Sequence, residues 1–84
     1  MFQNQATEET TAAIRDIFAT VLAMPAEQIS PEADFYDNLS GDSLQKLEVV
    51  TRFEAAFGTY LTDEQAVGCN TVAAFADLLT ACHG

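Results

Sequence analysis

Positive charge is scarce in this chain. Three residues of 84 are basic, Arg15, Lys46 and Arg52, against thirteen acids, for a formal charge of −10. Such a charge repels nucleic acid and anionic membrane surfaces, so neither is expected as a partner. A basic patch on another protein would be attracted and its encounter speeded. Cysteine is scarce too. Cys69 and Cys82 are too few for a disulfide framework and lack the Cys-x-x-Cys spacing of a metal site, so two small thiols in a reducing cytoplasm are expected and no metal. The one histidine, His83, lies next to the C-terminus. No stretch approaches the roughly 20 apolar residues that cross a bilayer. Met1-Phe2-Gln3-Asn4-Gln5 has neither the basic start nor the apolar run of a signal peptide, and a cytoplasmic location is expected. There is no strand alternation, internal repeat or low-complexity segment, and the length allows one domain, 1–84.

Helical periodicity fills most of what remains. Ile14, Ile17, Phe18, Val21 and Leu22 make one apolar stripe. Thr7 followed by Glu8 and Glu9 suits its start, and Pro25 its end, predicting a helix over about 7–23. Residues 25–42 are rich in turn formers, among them Pro25, Pro31, Asn38, Ser40 and Gly41, and read as a long connection. A loop this long is unusual unless functional. Its isolated apolar residues, Ile29, Phe35, Tyr36 and Leu39, are expected to pin it to the core. A second helix is predicted over 43–57, closed by Gly58, a short one over 63–67, stopped by Gly68, and a last one over 71–82. The last is capped by Thr71 and buries Val72, Phe75, Leu78, Leu79 and Cys82. The expected fold is all-α: a small bundle of three main helices and one short one.

The second helix carries two apolar faces. Val49, Val50, Phe53, Ala56 and Phe57 gather on a side wide enough for the core. Leu44 and Leu47 lie elsewhere with Thr51, near Ser43, flanked by Glu48 and Glu54. An apolar centre with an acidic rim is the anatomy of a docking surface. The competing placement packs both leucines under the loop, against Leu39 or Phe35.

Ser43 admits three roles. It can cap the helix. It can be a nucleophile, since Gly41-Asp42-Ser43-Leu44 spells the block that names a family of lipases and esterases. A nucleophile needs an oriented base. Here His83 is terminal, and Thr80 stands where that family places its aspartate. The third role is a modification site. The loop acids do not make a calcium loop either: counted back from Glu48, Leu39 and Gly41 fall at the third and fifth ligand positions.

The third role gains from a resemblance. Asp34, Phe35, Leu39, Gly41-Asp42-Ser43-Leu44, Leu47-Glu48 and Phe53-Glu54-x-x-Phe57-Gly58, followed by Thr71-Val72, resemble an acyl carrier protein or its relative, the peptidyl carrier protein, over residues 7 to 82. The resemblance implies a non-catalytic carrier. Ser43 would bear a covalent 4′-phosphopantetheine arm and Asp42 would help present it to a phosphopantetheinyl transferase. Leu44, Leu47, Glu48, Thr51 and Glu54 would face partner enzymes that load and process acyl, polyketide or aminoacyl thioesters. A monomer is implied. Thr51 departs from the apolar residue common there, Gln45 from an aspartate of fatty-acid carriers, and Ser40 from a common glycine. With the added charges of Lys46 and Arg52, these departures fit a discrete carrier of a polyketide or nonribosomal peptide pathway. The competing reading is an unmodified acidic helical adaptor that binds a basic partner through its second helix. A helix N-terminus itself favours the anion that a phosphodiester brings.

Overall fold

A computed structural model gives the architecture; it describes the backbone of residues 2–83 and the side chains of residues 8–79. Four helices follow one another: α1 (Phe2–Leu22), α2 (Ser43–Phe57), α3 (Asp63–Gly68) and α4 (Val72–His83). No strand occurs among the described residues. The all-α bundle of three long helices and one short one is the observed fold. Helix α1 begins at Phe2 rather than near Thr7, because no glycine or proline interrupts Gln3–Ala6 and helix formers carry the coil backward. The side chains of Cys82 and His83 lie outside the described residues.

Apolar spacing selects the core. Ile14 and Phe18 of α1, Val49, Val50 and Phe53 of α2, and Val72, Phe75 and Ala76 of α4 are buried together with Cys69. Phe18 meets Phe75 edge-on at 5.8 Å, and Phe75 meets Phe53 at 4.9 Å, so aromatic rings join the three long helices. Ala56, expected on the core side of α2, is exposed, and Phe57 is only half-buried. Full burial ends at Phe53, while Phe57 still packs on the core edge with its ring 5.1 Å from that of Phe53.

Helix ends follow local chemistry. Ala23 and Gly58 adopt left-handed backbone after α1 and α2, with φ of 57° and 62°. The next N–H in each case reaches back across the last turn, Met24 to Ala19 O and Thr59 to Glu54 O. Thr71 caps α4 through its hydroxyl, which accepts from Ala74 N at 3.0 Å.

The long connection is ordered from within. Residues Ala26–Gln28 form a 3₁₀ turn after Pro25, which the sequence pattern had not indicated. Ile29 and Phe35 are fully buried, Leu39 is half-buried and Tyr36 exposed. The Asp34 carboxylate accepts from Tyr36 N at 2.9 Å and Asp37 N at 2.8 Å, while Asn38 Oδ1 accepts from Asp34 N at 2.7 Å. Two backbone bonds then staple the loop to α4 and its approach: Phe35 N to Asn70 O at 2.7 Å and Ala73 N to Pro31 O at 2.9 Å. The second satisfies a donor that the first turn of α4 cannot. These ties fix where the loop delivers residues 40–43.

Candidate functional site

The junction is shaped by two small residues with opposite reasons for being there. Gly41 lies against the Phe35 ring, and a Cβ on it would fall well inside van der Waals contact with three ring carbons. Ser40 holds left-handed backbone at φ 61°, the geometry that favours glycine. Together they turn the chain so that Asp42, in extended backbone, opens α2.

Asp42 is the cap. Its Oδ1 accepts from Gln45 N at 2.8 Å, and Gln45 Oε1 accepts from Asp42 N at 3.0 Å. This reciprocal box closes two donors at the helix start. Capping therefore falls to Asp42 and not to Ser43. Ser43 is the first helical residue, exposed, with its hydroxyl outside the cap. No acid follows it in the first turn of α2. The helical ladder offers no acceptor to the first N–H groups, so an anion at Ser43 would meet free donors and the positive end of the helix dipole. The residues fit a phosphodiester there.

Beyond Ser43, α2 presents Leu44, 78% exposed, and Leu47, 61% exposed; neither is tucked under the loop. Thr51 is exposed on the same side, and its hydroxyl donates to Leu47 O at 3.0 Å. Glu48 is exposed but paired, its carboxylate 2.9 Å from Arg52 Nη2. In water such an (i, i+4) pair contributes little to stability. Glu54 is only half-buried, and its carboxylate accepts from Leu61 N at 2.8 Å. It therefore ties α2 to the segment leading into α3 as well as edging the leucines.

Lys46 is a residue whose role the sequence reading missed. In the sequence it reads as added positive charge on α2. It is instead buried, 7% exposed. Nζ donates to Ala66 O at 2.7 Å and Asn70 Oδ1 at 2.8 Å, and lies 5.7 Å from the centre of the Tyr36 ring. Burial lowers its pKa from the usual 10.5, opposed by the nearby Cys69 and Asp34. The available signal was positional: 46, 49, 50 and 53 fall on one helical stripe, with Lys46 the polar member of an otherwise apolar row. Burial likewise raises the neighbouring Cys69 thiol above 9.0, with Lys46 opposing and Asp77 adding.

A groove of about 550 Å³ runs between α2 and α3, lined by Ser43, Lys46, Leu47, Leu61 and Val67 among others. It is open to the surface where Ser43 stands. No group of three or more potential metal ligands assembles among the described residues. The carboxylates of Asp34 and Asp42 accept from backbone donors of their own turns. No helix of the described residues is long and apolar enough to cross a membrane.

Known proteins match this arrangement. A family model described as the phosphopantetheine attachment site matches residues 12–79. BlmI, a type-II acyl carrier protein from Streptomyces verticillus involved in bleomycin biosynthesis, is similar in structure at a TM-score of 0.86 and 22% identity, over 98% of this chain and 95% of that one. A chain assigned as an acyl carrier protein from Mycobacterium tuberculosis is similar at 0.78 and 20% identity, over 87% of this chain and 97% of that one. The acyl carrier protein of Enterococcus faecalis, whose structure was described for its high thermal stability, is similar at 0.74 and 29% identity, over 89% and 95%. At these identities the first two are likenesses of fold.

Proposed function

Since the chain belongs to the phosphopantetheine attachment-site family, and so is a non-catalytic carrier that meets a phosphopantetheinyl transferase and synthase enzymes, we propose that Ser43 is its point of attachment. The observation that carries this reading is the division of labour at the start of α2: Asp42 takes the cap and the Ser43 hydroxyl remains exposed at the first helical position. In the modification the Ser43 Oγ loses its proton and bonds to the phosphorus of coenzyme A that bears pantetheine, and adenosine 3′,5′-bisphosphate leaves. The negative charge that Ser43 gains is favoured by the α2 dipole. The bound arm supplies a thiol that carries cargo as a thioester.

Leu44 and Leu47 form the docking centre, with Glu48, Thr51 and Glu54 around them, for partner enzymes bearing basic patches. Asp42 assists presentation by fixing the helix start. The cargo is an acyl, polyketide or aminoacyl group, and the departures at Gln45, Lys46 and Arg52 support a specialised biosynthetic pathway over housekeeping fatty-acid synthesis. The carrier acts as a cytoplasmic monomer. The test is co-expression with a broad-specificity phosphopantetheinyl transferase, followed by intact mass. A gain of one phosphopantetheinyl group, absent in Ser43→Ala, is expected. No gain with several transferases would leave the acidic adaptor as the function.

A further inference from the structure

Helix α3 forms one wall of the groove beside Ser43, and of its own residues only Ala66 packs against the core. It has six residues and none of them is buried. An isolated helix so short is marginal in water. Its N-terminal box, between Thr62 and Gln65, is internal and attaches it to nothing else. The Glu54–Leu61 bond holds the segment that enters it. At its other end the last carbonyls point their negative pole at α2, where Lys46 Nζ meets Ala66 O at 2.7 Å and, just beyond the helix, Asn70 Oδ1 at 2.8 Å. Cys69 N is the other donor on Ala66 O, at a long 3.4 Å. Asn70 is itself tied to the loop, since its carbonyl accepts from Phe35 N. The described residues show a single ion pair, Arg52 with Glu48, so Lys46 has no carboxylate within ion-pair distance; apart from the Tyr36 ring 5.7 Å away on the loop, its close contacts are with α3 and its exit.

We propose that Lys46 is a positioning residue that latches α3 against α2, so that the wall of the groove beside Ser43 stays closed only while this ammonium keeps its two acceptors. What the closed groove shelters rests on the carrier reading; the latch itself belongs to the unmodified chain. Both bonds are charge-assisted and both acceptors neutral, so losing the ammonium leaves the Asn70 amide oxygen without its donor and Ala66 O with only the long bond from Cys69 N, at one edge of α3. The helix then keeps only its entry bond, the backbone tie at Asn70 and the apolar contact of Ala66 with the core, and it loosens from α2 between these ends, uncovering Cys69, which is 6% exposed at its C-terminal end.

The test uses the unmodified chain with Cys82→Ser, which makes Cys69 the only thiol, alkylated by iodoacetamide under native conditions and read by intact mass. Lys46→Met keeps the apolar stem and removes the latch. It is expected to raise the alkylation rate about tenfold or more, the ratio by which loss of a charge-assisted hydrogen bond shifts a local opening. That rise should not change with low urea, since local opening exposes little surface. A rate that instead climbs with urea and tracks the global unfolding midpoint would overturn the latch. Asn70→Ala, which removes one acceptor, is expected to give a smaller rise and decides the matter if Lys46→Met does not fold. Rates within twofold of the parent would refute the proposal. The assay needs no arm: a chain that refuses phosphopantetheine but passes it keeps the latch and loses the carrier reading, and the reverse result does the opposite.

Discussion

Gly41 and Ser40 offer a paired test of how the loop places Ser43. At Gly41 the reason for glycine is steric. The Phe35 ring occupies the place of a Cβ, and it cannot swing aside. It is fully buried and packs edge-on against Phe18, with centroids 5.5 Å apart and planes at 89°, and against Tyr36 at 5.3 Å. Gly41→Ala therefore forces the loop away from α1 or distorts the ring stack, an overpacking cost of about 2 kcal/mol. For a domain of this size that lowers Tm by roughly 10 °C. At Ser40 the reason is conformational. With φ at 61° a serine carries strain that glycine lacks, partly offset by the greater freedom of glycine in the unfolded chain. Ser40→Gly should raise stability by about 0.5 kcal/mol, roughly 3 °C. Thermal unfolding followed by far-ultraviolet circular dichroism, with urea unfolding alongside, reads both. The reasoning fails if Gly41→Ala melts within about 2 °C of the parent, or if the two substitutions move Tm in the same direction.

Leu44→Asp should change helicity and unfolding by no more than about 0.5 kcal/mol, because the side chain is 78% exposed. It should nevertheless lower the rate at which a partner enzyme loads or uses the carrier, measured on modified protein; unfolding of the variant would return Leu44 to the core. Burial of Cys69 predicts a slope at alkaline pH. Above 9.0 the unfolded chain releases the thiol proton while the folded chain keeps it, so stability falls as pH rises past that value. Urea midpoints across that range should fall less steeply in Cys69→Ala, and equal slopes would count against the assignment.

The fold was legible in the sequence wherever apolar spacing was strong. The 14, 17, 18, 21 and 22 stripe and the 72, 75, 78 and 79 stripe place α1 and α4 against the core, and Gly58 closes α2 as its position indicates. The start of α1 was not legible. Thr7 with Glu8 and Glu9 has the local chemistry of a helix start, but nothing before it stops a helix from continuing. At the site, the exposure of Ser43 and of the two leucines follows from their angular position on α2. Asp42 and Gln45 stand at capping-box spacing, a signal present in the sequence because Gln45 falls three residues after Asp42. Lys46 was hidden for a different reason. Charge suggests surface, and only the tertiary approach of Ala66 and Asn70, twenty and twenty-four residues away, makes its burial tolerable. Glu54 is similar: its bond to Leu61 N depends on the turn after Gly58 folding back on α2.

Localising the modification tests the central claim most directly. Incubated with coenzyme A and a broad-specificity phosphopantetheinyl transferase, then digested and read by tandem mass spectrometry, the chain should carry one phosphodiester-linked pantetheine, on Ser43, with the other serines, Ser30 and Ser40, unmodified. A peptide bearing the group at any other residue, or a Ser43 hydroxyl still bare after every transferase tried, would contradict the account.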